Sequence, residues 1–195
     1  MKIKSMMALV LMALVMNLSA QVGIQAGYVS STTVTNSVKT DYDGFNFGPV
    51  GEFNIVQNLD LRYGFLYSLL LKHTDNGILG TIDYSGHFVD LPVQAQYSFP
   101  LTNDLKVFAF GGPTLNFGLA QSSVLKIGGS STTTDHYEVN DDLTRFDVKL
   151  GLGGGLRFSS FELRVGYDWG MLDLNKKDNI TLNRNQLTAA LVYHL

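Results

Sequence analysis

From Leu59 to Lys72 the chain reads LDLRYGFLYSLLLK, with Leu59, Leu61, Tyr63, Phe65, Tyr67, Leu69 and Leu71 on odd positions and Asp60, Arg62, Gly64, Leu66, Ser68, Leu70 and Lys72 on even ones. A repeat of two predicts a strand, because successive Cβ atoms point to opposite faces of a sheet. One face is large and apolar throughout; the other mixes charge, glycine and aliphatic side chains. The same division recurs later. Phe146, Val148, Leu150, Leu152, Leu156 and Phe158 oppose Arg145, Asp147, Lys149, Gly151, Gly153, Gly155 and Arg157. Phe161, Leu163, Val165, Tyr167, Trp169 and Met171 oppose Glu162, Arg164, Gly166, Asp168 and Gly170. Leu187, Ala189, Leu191, Tyr193 and Leu195 oppose Gln186, Thr188, Ala190, Val192 and His194.

Eight such stretches are predicted, near residues 22–31, 44–56, 59–72, 87–99, 105–120, 144–158, 161–172 and 186–195. The segments between them are of two kinds. Short connections, Gln57-Asn58, Pro100 to Asp104 and Ser159-Ser160, follow the second, fourth and sixth strands. Long polar ones, residues 32–43, 73–86, 121–143 and 173–185, follow the others. In an up-and-down meander all short turns then lie at one end and all long loops at the other. An even strand number with this asymmetry is the plan of outer-membrane barrels, whose strands cross the apolar band with about ten tilted residues. The expected fold class is all-β, an eight-stranded antiparallel up-and-down transmembrane β-barrel with its apolar stripes facing lipid. A secreted, soluble barrel of lipocalin type is the alternative with the faces reversed.

Eight strands enclose an interior that side chains can fill. The expected lumen charge network comprises Glu52, Asp60, Arg62, Asp90, Lys106, Arg145, Asp147, Lys149, Arg157, Glu162, Arg164 and Asp168, with Lys72 on the same parity. Six acids and seven bases permit pairing, and unpaired charges so confined would be costly. A polar plug of ion pairs is therefore expected, with a small gated pore as the alternative. Glycines on the charged faces would leave room for a long Arg or Lys from across the lumen. Tyr97, Phe99, Phe158, Phe161 and Tyr193 on apolar faces near the short turns predict one interfacial aromatic belt, and Tyr67, Tyr167 and Trp169 the other. In the fifth strand Phe108 and Phe110 share the parity of Lys106 and Asn116. Either the lumen accepts two rings, or a bulge near Gly111-Gly112-Pro113 switches the register.

Composition narrows the setting. Charged residues are 16% of the 195, below the roughly 25% of soluble domains, and no segment after the first twenty residues has the 18 consecutive apolar residues of a spanning helix. The opening MKIKSMMALVLMALVMNLSA places Lys2 and Lys4 before an apolar run from Met6 to Met16 and a small residue, Ala20, before Gln21. This is the layout of a secretory signal, so residues 1–20 are expected to be removed after Ala20 and residues 21–195 to form the barrel domain in a bacterial outer membrane. The mature chain then carries 12 basic and 17 acidic residues, with no basic cluster to meet nucleic-acid phosphates. The expected partners are outer-membrane lipid and envelope or extracellular proteins, with the barrel itself a monomer. With no cysteine, disulfides, thiolate metal sites and cysteine nucleophiles are excluded.

His87-Phe88-Val89-Asp90-Leu91-Pro92-Val93-Gln94 resembles the aromatic-aliphatic-acid-aliphatic-proline pattern of the PorT-like small outer-membrane β-barrel family of Bacteroidota. Ser19-Ala20-Gln21 resembles signal cleavage sites common in that phylum, and Gly111-Gly112-Pro113 resembles a glycine-proline element of the family. The resemblance implies an outer-membrane barrel without an established activity, acting in a structural or interaction role through long external loops. Lipid-modifying hydrolysis is the enzymatic alternative. Ser85 and His87 share a strand face near the outer rim, and Asp83 could orient the histidine. No catalytic, cofactor or metal site is expected: Ser-Gly-His leading into a strand is ordinarily a loop end, no two histidines have ligand spacing, and Asp141-Asp142 is too little for calcium. Gly151 to Gly155 lacks the Lys-Ser/Thr pair and following helix of a phosphate loop. The 121–143 loop, rich in hydroxyls, is the foremost candidate for recognition.

Overall fold

The computed structural model describes residues 21–35, 38–75, 77, 80–127, 130–139, 143–175 and 182–195. The expected signal segment and Asp141-Asp142 lie outside the described residues. Along the chain run β1 (Gln21–Thr35), β2 (Val38–Val56), β3 (Leu59–Gly64), β4 (Leu66–Asp75), β5 (Thr81–Pro100), β6 (Leu105–Ile127) and β7 (Ser130–Asp135). The one-turn helix α1 (His136–Val139), β8 (Phe146–Phe158), β9 (Phe161–Gly170) and β10 (Leu182–His194) follow. Neighbours pair antiparallel, and β1 pairs with β10 from Gly23↔His194 to Thr35↔Leu182, which closes the ring.

The ring has eight staves because β3 and β4 form one ribbon. Val50↔Gly64 and Phe47↔Tyr67 keep a single register against β2, as do Tyr63↔Val93 and Leu66↔Asp90 against β5. Only Phe65 interrupts it. Phe65 faces Pro49, whose carbonyl accepts from the Phe65 amide at 3.0 Å but which has no N–H to return the bond. Closure leaves no open sheet edge within the ring, the condition for a strand structure to cross hydrocarbon. Among the described residues no helix is long and apolar enough to do so.

The oily faces are outside. Leu150 and Leu191 are 47% and 51% exposed, whereas Arg62, Lys149 and Arg164 are 2%, 1% and 4% exposed inside the ring. A lipocalin-type arrangement would show the reverse. The short connections stand where the sequence puts them, with Asn58 (φ 66°) and Ser159 (φ 52°) in the left-handed region at two tight turns. The long segments differ from expectation. Residues 32–35 and 38–43, 73–75 and 81–86, and 121–127 are strand, and Ser130–Asp135 folds back on β6. These segments are rich in threonine and serine. Their polarity reads as loop, but β-branched threonine suits a pleated surface, and the ladders continue beyond the apolar band.

The fifth stave also settles. β6 pairs with β8 in one register from Leu105↔Phe158 to Phe117↔Phe146, unbroken at Gly111-Gly112-Pro113. The irregularity against β5 comes at His87/Phe88 instead. Phe108 and Phe110 are therefore both in the lumen, 2% and 8% exposed. They, rather than long cations, explain several inward glycines. A Cβ on Gly155 would stand 2.5 Å from Phe108 Cζ, and one on Gly166 would stand 2.8 Å from Phe110 Cζ.

Candidate functional site

The lumen collects the polar side chains that the strand parity turns inward. Nearest the short turns, the Arg157 guanidinium crosses between two acids. Its Nη2 donates to Glu52 Oε1 and Oε2 at 2.5 and 2.6 Å, and its Nε donates to Glu162 Oε2 at 2.9 Å. Arg164 donates to Glu162 Oε1 at 2.7 Å and to Gln94 at 3.1 Å. Arg62 donates to Gln25 at 2.7 Å and lies 4.0 Å from Glu52. His194 Nε2 is 3.2 Å from Glu162. The Arg164 guanidinium also lies over the Phe110 ring, 4.1 Å from its centroid, which adds a cation–π contact to its hydrogen bonds. Glu52, Glu162 and His194 offer donor atoms within 4.8 Å of one another. The charge a metal would bring there is already supplied by Arg157.

A second cluster lies towards the long loops. Asp90 accepts from Ser68 at 2.5 Å and from Asn116 at 2.6 Å, with Lys149 Nζ at 3.6 Å. Lys149 donates to Gln186 at 2.6 Å, and Arg184 donates to Asn116 while lying over the Phe88 ring. Asp168 accepts from Thr114 at 3.5 Å. Asp147 is buried, and among the described residues no side chain donates to either of its carboxylate oxygens.

Of the expected lumen charges, Glu52, Arg62, Asp90, Asp147, Lys149, Arg157, Glu162 and Arg164 are buried, and Asp168 is half-buried. Three do not join them. Lys106 is exposed at the short-turn mouth, near Asn103, Ser159 and Ser160. Arg145 is exposed at the opposite end, stacked 4.3 Å from the Tyr137 centroid and donating to the Leu119 carbonyl. Asp60 sits at the rim, accepting from Asn54 at 2.8 Å. Parity gives a residue's face but not its depth, and all three lie at strand ends. Lys72, half-exposed, lies over the Tyr42 ring. Sequence reasoning missed Gln25, Gln94, Gln96, Asn116 and Gln186 as network members, although their parity was available. It missed Arg184 because residues 173–185 read as loop.

Outside, Tyr97 packs on Phe99 with centroids 4.7 Å apart, and Phe161 packs on Tyr193 at 5.2 Å, with Phe158 opposite Phe161 in the ladder. At the other end Tyr67 meets Phe47, and Tyr167 meets Trp169. The considered hydrolytic trio is not assembled. Ser85 Oγ pairs with Ser122 Oγ at 3.0 Å, His87 Nδ1 with the Tyr67 hydroxyl at 2.5 Å, and Asp83 with His73 at 2.5 Å and Lys126 at 2.6 Å. The Lys126 and then the His73 contact hold the Asp83 carboxyl below its usual range.

A family model described as outer membrane protein β-barrel domain matches residues 14–176. Among solved structures, Neisserial surface protein A is 14% identical over 91% of this chain and 99% of its own, with a TM-score of 0.50. The attachment invasion locus protein Ail of Yersinia pestis is 14% identical over 91% and 100%, with a TM-score of 0.47. The outer membrane enzyme PagL is 11% identical over 87% and 98%, with a TM-score of 0.46. At such identities the likeness is one of fold alone. No curated protein matches the sequence.

Proposed function

Because the chain belongs to the outer-membrane protein β-barrel domain family, we propose that it is a non-conducting, non-enzymatic barrel that anchors an external recognition surface in the bacterial outer membrane. The observation that carries this reading is the Arg157 bridge between Glu52 and Glu162, which spans the lumen with all three side chains buried or nearly so. Eight strands leave little space around such a bridge, whereas aqueous porin channels are built on 16 to 18. The ladders of β5, β6 and β7 extend past the apolar band and end in exposed hydroxyl-bearing residues, Ser130 to Thr133. An element built as a continuation of the barrel is rigid enough to present a fixed surface. The lipid contact is made by the two aromatic belts, and the mature chain begins at Gln21 after signal removal. The resemblance to PorT-like proteins of Bacteroidota supports a role in the envelope beside other proteins.

Planar-bilayer recording tests the closed lumen: the expected trace is baseline current, and a steady open level from the wild-type barrel would overturn it. A photo-crosslinking residue at Thr132 tests the surface. Adducts on whole cells from Thr132, absent from a crosslinker at Ser159, are expected; adducts from Ser159 alone would place recognition at the wrong end.

A further inference from the structure

Beyond the apolar band β4, β5, β6 and β7 continue as a sheet that stands clear of the ring, and β7 (Ser130–Asp135) is its last strand. Among the described residues, nothing pairs with the side of β7 turned away from β6. Ile127 faces Ser130 across only two residues, and the ladder runs without irregularity to Ser122↔Asp135. A two-residue hairpin closes on a hydrogen-bonded pair. Ser130, Thr132 and Thr134 therefore bond to β6, and the N–H and C=O groups of Ser131 and Thr133 point outward along the free edge. Natural sheets blunt such edges with charge, proline or a bulge. The unpaired edges of β2 and β4 beyond Asp43↔Leu71 carry Lys39, Asp41, Lys72, His73 and Asp75. By contrast β7 reads SSTTTD, with no charge before its last residue.

The two faces of this sheet differ. Ile82, Leu125 and Thr132 form one cross-strand row on the face that Tyr84 turns to the loop-end cavity, with Ile127 further along the same face. Leu125 and Ile127 are 37% and 48% exposed although they lie past the lipid band, where a patch of open apolar surface marks a contact site. The opposite face carries Asp83, Lys126 and, on β7 itself, Asp135. From these observations we propose that β7 takes an extended segment of an external protein as an added antiparallel strand. The segment's apolar side chains lie on the Leu125 face and a basic one stands opposite Asp135. A second copy of the barrel does not fit this edge. Copies inserted alike in one membrane run their β7 strands in the same sense, and parallel pairing is the weaker ladder. The proposal deepens the external-recognition reading and rests on it, because the edge meets such a segment only if it stands outside the cell.

The test uses the folded barrel in lipid nanodiscs and the end-blocked peptide Lys-Val-Thr-Val-Thr-Val, whose threonine N–H groups would face Thr133 and Ser131. Fluorescence anisotropy of the labelled peptide reports binding, and hydrogen exchange reports the barrel amides. The expected result is saturable binding with a dissociation constant below about 1 mM, and exchange slowed by about tenfold or more at the Ser131 and Thr133 amides. Methylating both threonine nitrogens of the peptide should weaken binding about tenfold, and glutamate in place of its lysine about threefold. Thr133→Pro, which removes one outward N–H, should weaken binding about tenfold, and Thr133→Val, which keeps it, by less than about twofold. Heat-modifiable gel mobility confirms assembly, and the methylated peptide supplies the test on the wild-type barrel if Thr133→Pro does not assemble. No saturation, unchanged exchange at Ser131 and Thr133, full binding of the methylated peptide, or equal binding of the glutamate peptide would overturn the proposal. Crosslinking on whole cells separates the two readings. A barrel that ignores the peptide while Thr132 still gives adducts refutes edge pairing alone, whereas adducts from Ser159 alone refute the external surface.

Discussion

Glu162 is fully buried and accepts from Arg157, Arg164 and His194, so replacing it with glutamine leaves two guanidinium groups short of countercharge. Breaking a buried pair from one side costs about 3–5 kcal/mol. Glu162→Gln is therefore expected to lower the unfolding free energy by about that amount in urea titrations of the barrel in lipid vesicles. Lys106→Gln, at the exposed mouth, should change it by less than about 0.5 kcal/mol. The contrast matters because both residues share the same strand parity logic in the sequence. Alternation told which side chains point inward, but depth along the axis depends on where each ladder starts and stops. The glycines repeat the lesson. Their inward parity was legible, while their purpose was not, since the Phe108 and Phe110 rings they accommodate arrive from another stave. Gly166→Leu should destabilise the barrel through its clash with Phe110. Phe110→Ala in the same chain should recover part of the loss, giving a coupling within about 0.5–3 kcal/mol in a double-mutant cycle.

At the scale of elements, the short turns and staves were readable because period two and short polar breaks such as Gln57-Asn58 and Ser159-Ser160 are local signals. The extensions of β1, β2, β5 and β6 were not, because a polar face on both sides erases the contrast that alternation depends on. Those extensions are held partly by charge. Asp83 on β5 pairs with His73 on β4 and with Lys126 on β6, and its carboxyl is held below the usual range, first by Lys126 and then by His73. A lowered folded-state value means the ionised form favours the folded hairpins. The contribution is complete above the unfolded value of about 3.9 and is lost as pH falls through the lowered one. The chain has no cysteine, so Ser131→Cys gives a clean site for a nitroxide label. Its spectrum should be restrained at neutral pH and loosen below about pH 4. In Asp83→Asn the label should be loose at both, and an unchanged spectrum in that variant would show that the triad does not hold the hairpin.

The whole molecule has a direction as well as a shape. Its ring could be inserted either way if only the apolar band mattered, since both rims carry aromatic rings. The two ends differ in what must cross during assembly. At one end lie Gln57-Asn58 and Ser159-Ser160, turns small enough to pass through lipid with few polar groups to desolvate. At the other stand the extended ladders, α1 and exposed charges such as Asp83 and Lys126. The cost of burying polar groups in transit does not by itself set the outcome, because assembly from the periplasm must carry one end across in any case. What fixes it is that barrels of this family type keep short turns on the periplasmic side and long segments outside. Single cysteines at Thr132 and Ser159 make this measurable on intact cells with a membrane-impermeant maleimide. Labelling at Thr132 is expected at once, and at Ser159 only after the outer membrane is permeabilised. The reverse order would put the hydroxyl-rich hairpin in the periplasm, out of reach of any external partner, while leaving the barrel's fold and its inner ion pairs untouched.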